Sequence, residues 1–103
     1  MMAHAQWREV STSQYALSHH LDRDSVPELW RFLQEWKPQH SQVEIVLNEV
    51  KRIDSAGMVL LIHLIQHAKR QNCHIMLSFV PNQLRTLFQL SNIQPLMVEH
   101  IKN

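Results

Sequence analysis

Residues 43–80 run VEIVLNEVKRIDSAGMVLLIHLIQHAKRQNCHIMLSFV, and the parsing of this stretch decides the fold. Val43, Ile45 and Leu47 alternate with Glu44 and Asn48, while Val46 breaks the alternation in the apolar direction. That is the pattern of an interior strand covered on both faces or nearly so. Ala56 to Arg70 has the length of a helix and repeats apolar residues at i, i+3 and i+4 through Leu61, Leu64, Ile65 and Ala68. After the polar turn Gln71-Asn72, His74 to Val80 reads as another strand, with Ile75, Leu77 and Phe79 on one face. Strand, helix and strand joined by short turns make a βαβ unit, whose strands are parallel and whose crossover is right-handed.

Working outward, Trp7 to Val10 and Gln14 to Ser18 read as two short strands linked by Ser11-Thr12-Ser13, a length and polarity suited to a hairpin. Asp22-Arg23-Asp24-Ser25 then offers several N-cap side chains ahead of Pro27, and Val26, Leu29, Trp30, Leu33 and Trp36 recur at helical spacing before Lys37-Pro38. On the other side, Pro81 opens a last helix carrying Leu84, Leu87 and Phe88, and Asn92 to Asn103 form a partly apolar tail. The expectation is one α/β domain over residues 1–103: a mixed sheet of about four strands with three helices, whose apolar stripes bury against it.

Length and composition narrow the function. A chain of 103 residues with 45% hydrophobic content has room for one core. Ten basic and nine acidic residues are scattered without a basic stripe, so the charge pattern offers nothing to nucleic acid. Cys73 is alone, which excludes an internal disulfide and a cysteine-based zinc knuckle and suits a reducing compartment. Met1 to Ser11 holds no apolar stretch of signal-peptide length, and no run is long enough to span a bilayer, so a cytoplasmic chain without direct membrane insertion is expected.

The chain has a single glycine, Gly57, far below the roughly 7% average usage. It sits at the corner where the strand gives way to the helix, in Arg52-Ile53-Asp54-Ser55-Ala56-Gly57-Met58. Asp54 or Ser55 can cap the helix by accepting hydrogen bonds from its unpaired N–H groups. Gly57 then either lets the first turn approach the sheet or leaves room for something from outside. At about 100° per residue, Met58, Val59 and Ile62 fall off the centre of the buried stripe and cluster in the first two turns. Exposed, they would form a protein–protein contact; the alternative is that the last helix or the tail covers them.

At this corner the chain resembles the STAS domain (sulfate transporter and anti-sigma-factor antagonist), whose signature is an Asp-Ser-Ser-Gly or Asp-Thr-Gly-Gly segment between a central strand and the next helix. Within that family it is most similar to the MlaB-type branch, the small cytoplasmic subunits of lipid-asymmetry ABC transporters. Ala16 to Asp22, Pro27 to Trp30, Val50 to Arg70 and Leu84 to Ile93 carry the likeness, especially Leu60-Leu61-Ile62-His63-Leu64-Ile65 followed by Ala68-Lys69-Arg70-Gln71. The resemblance implies a STAS-like fold and a non-enzymatic, cofactor-free module peripheral to the inner membrane. It would bind the transporter's MlaF-like ATPase, and through it an MlaE-like permease and an MlaD-like substrate-binding ring. The implied contact set is Asp54, Ser55, Ala56, Gly57, Met58, Val59 and Ile62, with Asp22 and Arg23 from the neighbouring loop. In the antagonist branch, the alternative reading, the serine directly before the glycine is phosphorylated and the added charge breaks the complex. Ala56 stands there in this chain, and Val59 stands where antagonists tend to have a second glycine.

Other chemistry is poorly supported by the residues. His63 and His67, at i, i+4, share a helix face as two metal ligands do, but no third ligand is placed by the sequence. His19-His20 precede the Leu21 to Ser25 loop, expected near the Asp54 corner. Ser55 beside Asp54 lacks a nucleophile-elbow pattern, and one glycine cannot build a phosphate loop. Trp30 and Trp36 are expected at the edge of the core.

Overall fold

The computed structural model describes residues 3–102; Met1, Met2 and Asn103, the ends of the expected domain, lie outside the described residues. Strands β1 (Trp7–Ser11), β2 (Gln14–Leu21), β3 (Gln42–Ile53), β4 (His74–Ser78) and β5 (Ile101–Lys102) form one sheet in sequential order. β1 and β2 make the expected antiparallel hairpin, whereas β2 to β5 are all parallel to their neighbours. The connections carry helices α1 (Val26–Leu33), α2 (Ser55–Arg70), α3 (Asn82–Leu90) and the short α4 (Gln94–Met97), followed by a 3₁₀ turn over Val98–His100.

Sequential order has a direct consequence. Right-handed crossovers that all step the same way along a sheet place their helices on the same face, and α2 packs between α1 and α3 accordingly. The core is the single seam between this helical layer and the inward residues of the strands: Leu17, Val43, Ile45, Leu47, Ile75 and Leu77 meet Leu29, Leu33, Leu60, Leu61, Leu64 and Phe88, all buried. Truncating any of these leucines to alanine leaves a cavity worth about 2–5 kcal/mol.

Several boundaries differ from the sequence pattern, each for a local reason. The sheet has five strands and the chain four helices among the described residues, because the expected tail, over Gln94 to Lys102, forms α4, the 3₁₀ turn and a two-residue strand too short for periodicity to register. β3 is central but only one of its faces meets helices; Val46 is buried on the other face among its strand neighbours. It also runs on to Ile53 beyond the end of β4, through exposed Asn48, Glu49, Lys51 and Arg52 with half-buried Val50 among them. Helix α1 stops at Leu33, three residues before Trp36, whose indole seals the hairpin by packing edge-on against the stacked Trp7 and Tyr15 rings. Phe79 does not continue the inner face of β4: its backbone enters the left-handed region (φ 55°), it is 66% exposed, and Pro81 then serves as N-cap of α3.

On the helix-free face, the two residues of β5 are tied down by an ion pair. Lys102 Nζ lies 3.4 Å from Glu44 Oε1, reaching across β4. The Ser78 hydroxyl beside Glu44, with Lys102 assisting, holds this carboxyl below the ordinary glutamate range. A depressed carboxyl contributes stability that is present above its unfolded value and lost as pH falls through the folded one. The Glu44→Gln variant should therefore show a shallower loss of stability below about pH 4.3 than the parent chain. Urea midpoints at neutral pH and at successively lower pH check this, and parallel curves for the two proteins would contradict it.

Candidate functional site: the strand-to-helix corner

The corner lies at the carboxyl ends of β2 and β3, the end of an open parallel sheet where binding sites gather. Asp54 is the N-cap of α2: its backbone is extended, and its Oδ1 accepts from the N–H groups of Ala56 (2.8 Å) and Gly57 (3.2 Å). Its Oδ2 accepts from the N–H of Arg23 at 3.3 Å, so one carboxylate fastens both the helix start and the β2–α1 loop. Such a cap is worth about 0.5–2 kcal/mol.

The loop is ordered from within as well. Asp22 Oδ1 accepts from the N–H groups of Asp24 and Ser25, each at 3.0 Å, and Ser25 Oγ donates to the His20 carbonyl at 2.6 Å. The N–H of Ser25, with that of Asp24, holds the Asp22 carboxyl below its usual range. Thus Asp22 makes an Asx turn, and Ser25, at the N-cap position of α1, makes no side-chain cap bond. His20 approaches Asp22 (3.9 Å) at the loop's edge, and His19 adopts a left-handed conformation (φ 64°).

Gly57 is buried against its own sheet. A Cβ built on it would overlap the Leu21 carbonyl oxygen and stand 2.6 Å from Ile53 Cγ1. Leu21 ends β2, and the same carbonyl accepts the Asp54 N–H at 3.2 Å. The glycine therefore serves a close approach inside the chain. Met58 is likewise buried, 6% exposed. His63 and His67 meet Trp30 of α1 on one flank of α2; at about 100° per residue Met58 lies on the opposite flank, toward α3. These are corrections to the expectation of an exposed Gly57 and Met58.

What remains outward is a narrower ridge. Ser55 is exposed, with no partner for its hydroxyl among the described residues; Ala56 and Ile62 are half-buried; and Val59 is 43% exposed. Arg23, exposed beside them, adds a cation. Of the nine residues expected to touch a partner, Asp22, Asp54, Gly57 and Met58 build the corner, while Arg23, Ser55, Ala56, Val59 and Ile62 present its surface. Sequence reasoning missed the Leu21 carbonyl, since a main-chain atom leaves no mark in side-chain patterns. It also missed Ser25 as the loop's internal tie. The largest exposed apolar side chains, Phe79, Leu90, Leu96 and Val98, lie outside α2 altogether.

The histidine pair of α2 is engaged elsewhere: His67 Nε2 donates to the Trp36 carbonyl at 2.7 Å, holding the end of the α1 turn. No group of three or more His, Cys, Asp or Glu side chains placed for a metal occurs among the described residues. Nor is any helix among them long and apolar enough to cross a membrane.

The family model described as "Mlab, STAS domain" matches residues 4–99. The chain belongs to the MlaB-type STAS domain family. Over 78 residues, 76% of this chain and 78% of the relative, it is 36% identical to the intermembrane phospholipid transport system binding protein MlaB of Escherichia coli, and equally to that of Shigella flexneri. The fold is shared more widely. A sulfate transporter family protein from Wolinella succinogenes superposes with a TM-score of 0.68 at 16% identity, covering 86% of this chain and 74% of its own. The unphosphorylated anti-sigma-factor antagonist SpoIIAA gives 0.62 at 17%, covering 82% and 81%. The expected STAS-like α/β architecture is thus the observed one.

Two substitutions separate the corner's internal bonds from its packing. Gly57→Ala should gain about 1 kcal/mol of helix propensity and lose more to the overlap with a main-chain oxygen, a net destabilisation of about 1–3 kcal/mol. Asp54→Ala should lose about 0.5–2 kcal/mol, most of it restored by Asn, which keeps the capping acceptor. Urea unfolding measures both; a Gly57→Ala protein as stable as the parent would refute the tight-packing account.

Proposed function

We propose that this chain is a non-enzymatic, cytoplasmic STAS subunit of an inner-membrane phospholipid ABC transporter. It binds the transporter's ATPase and supports its assembly and activity, with the permease and the substrate-binding ring reached only through that complex. The observation that carries the reading is the 36% identity to MlaB proteins, named for binding within an intermembrane phospholipid transport system.

The docking surface is the ridge of Ser55, Ala56, Val59 and Ile62 on α2, with Arg23 of the β2–α1 loop at its edge. Its geometry supports this role in two ways. The side chains are small, so another helix or loop can approach the α2 backbone closely, and the ridge is held rigid by the Asp54 cap and the Gly57 contact beneath it. A preordered surface loses little conformational entropy on binding. Val59 and Ile62 supply the apolar centre, the Ser55 hydroxyl a hydrogen bond there, and Arg23 a rim charge that tunes encounter more than affinity. Ala56, which has no hydroxyl, cannot carry the phosphoryl switch of antagonist-type relatives.

The test is a pull-down and a binding titration with the ATPase of the same transporter. Ser55→Arg and Val59→Arg place bulk on an exposed ridge without entering the core, so circular dichroism and urea midpoints should match the parent. Each should weaken binding at least tenfold, about 1.4 kcal/mol or more. Undiminished binding by both folded variants would exclude this surface. Failure of the parent chain to bind the ATPase would exclude the function.

A further inference from the structure

Charge is balanced over the chain but not along it. Between Asp54 and Glu99 there is no aspartate or glutamate, while Lys69, Arg70 and Arg85 all fall in this stretch. The fold assigns the stretch to α2, β4, α3 and α4, so the exposed carboxylates of the helical layer, Asp24, Glu28 and Glu35, belong to α1 and the segments flanking it. At about 100° per residue, Val59, Ile62, Gln66, Lys69 and Arg70 all lie within about 60° of Ser55, on the face turned away from the buried stripe. Gln66, Lys69 and Arg70 are exposed, and neither cation makes an ion pair among the described residues. From its first turn to its last, the outward face of α2 therefore reads hydroxyl, apolar, amide, cation. At a rise of about 1.5 Å per residue, Val59 and Lys69 are about 15 Å apart, a span that one footprint of about 800 Å² per partner covers.

We propose, on the reading that the ridge binds the ATPase, that the docking contact continues beyond Ile62 along α2 to Lys69 and Arg70, and that the ATPase surface laid on this helix is acidic where it meets the last turn. The charge pattern selects this occupant. A neutral or basic surface would leave two cations without a counter-charge or against like charge, whereas carboxylates there complete pairs that the chain itself does not supply. Neither α2 nor α3 carries an acidic residue. Glu99 lines the same cavity as Lys69 but pairs with neither cation. At the other end of the ridge Arg23 adds a third positive charge, with Asp24 exposed beside it. Cations in a last helical turn also complement the helix dipole. That role needs no partner and acts on stability, so binding rates separate the two.

The two parts of the face have different kinetic signatures. Exposed charges steer encounter and discriminate between partners more than they hold a formed complex, and they are screened over about 10 Å at 0.1 M salt. Lys69 and Arg70 therefore act on the association rate, and their effect fades as salt rises. Val59 and Ile62, at the apolar centre, act on dissociation, which salt changes little.

The experiment measures association and dissociation rates of the full chain with the ATPase of the same transporter, from about 25 mM to about 500 mM NaCl, with urea midpoints for each variant. Lys69→Glu combined with Arg70→Glu should slow association at least about tenfold at the low-salt end and less than about threefold at the high-salt end, with dissociation changed by less than about threefold. Lys69→Gln combined with Arg70→Gln should fall between this variant and the parent. Arg70→Glu alone should slow association about threefold or more, whereas Lys51→Glu, an equal charge change on exposed β3, should stay within about twofold of the parent. Reversal variants that associate as fast as the parent, equal losses from Arg70→Glu and Lys51→Glu, or a loss that persists undiminished at high salt would each overturn the extension. None of these outcomes touches the ridge, which Ser55→Arg and Val59→Arg test separately. A parent chain that fails to bind the ATPase at every salt concentration would overturn the function and this extension together.

Discussion

The structure turns on one contact without side chains: the Cα of Gly57 resting against the carbonyl oxygen of Leu21. That oxygen closes β2 against β3 by accepting the Asp54 N–H, and the first turn of α2 lies directly on it. The distance between helix and sheet at this point is therefore set by backbone atoms, where a single methyl group is too large. Everything in the βαβ unit inherits the resulting angle. Leu60, Leu61 and Leu64 drop into the seam between layers because the helix starts so close to the sheet. The Asp54 carboxylate then fixes the same start electrostatically, placing an anion where the helix N-terminus is positive.

The same constraint explains why the proposed docking ridge is small and firm. Once Gly57 and Met58 face inward and His63 and His67 lean on Trp30, only a narrow outward strip of α2 remains at its first turns. Ser55, Ala56, Val59 and Ile62 offer little apolar area by themselves, so the larger anchors of any interface must come from the partner. The chain contributes shape and rigidity. Substitutions at Asp54 or Gly57 would weaken binding by loosening the support, which is a different failure from removing a contact.

The βαβ unit was legible because its periodicities change cleanly, from alternation at Val43–Leu47 to helical spacing at Leu61–Ala68 and back. The corner was legible because a lone glycine next to Asp-Ser has few structural explanations. Which of them applied was not, since a close approach within the chain and one from outside demand the same residue. Met58 was misplaced because helical projection gives an angle from the stripe's centre and not the width of the groove that α2 and α3 make together. The tail escaped because β5 has two residues, too few for any period, and its docking rests on tertiary contacts from His74 and Glu44.

The one-sided layering also separates the proposed docking ridge from the C-terminal segment in space. Parallel strands present all their carboxyl ends at one edge of the sheet and all their amino ends at the other. The corner that carries the proposed ridge follows Leu21 and Ile53, at the carboxyl edge, whereas His74 opens β4 at the amino edge. Between them stands the seam of buried leucines and isoleucines that carries most of the fold's stability. The C-terminal segment is fastened by two imidazole bonds and two residues of strand pairing, with Met97 buried in the core and Ile93 and Ile101 packed against it. The proposed docking ridge, by contrast, stands on the stretch of backbone that the Gly57 contact packs tightly against β2, so its shape is set by the fold before any partner arrives.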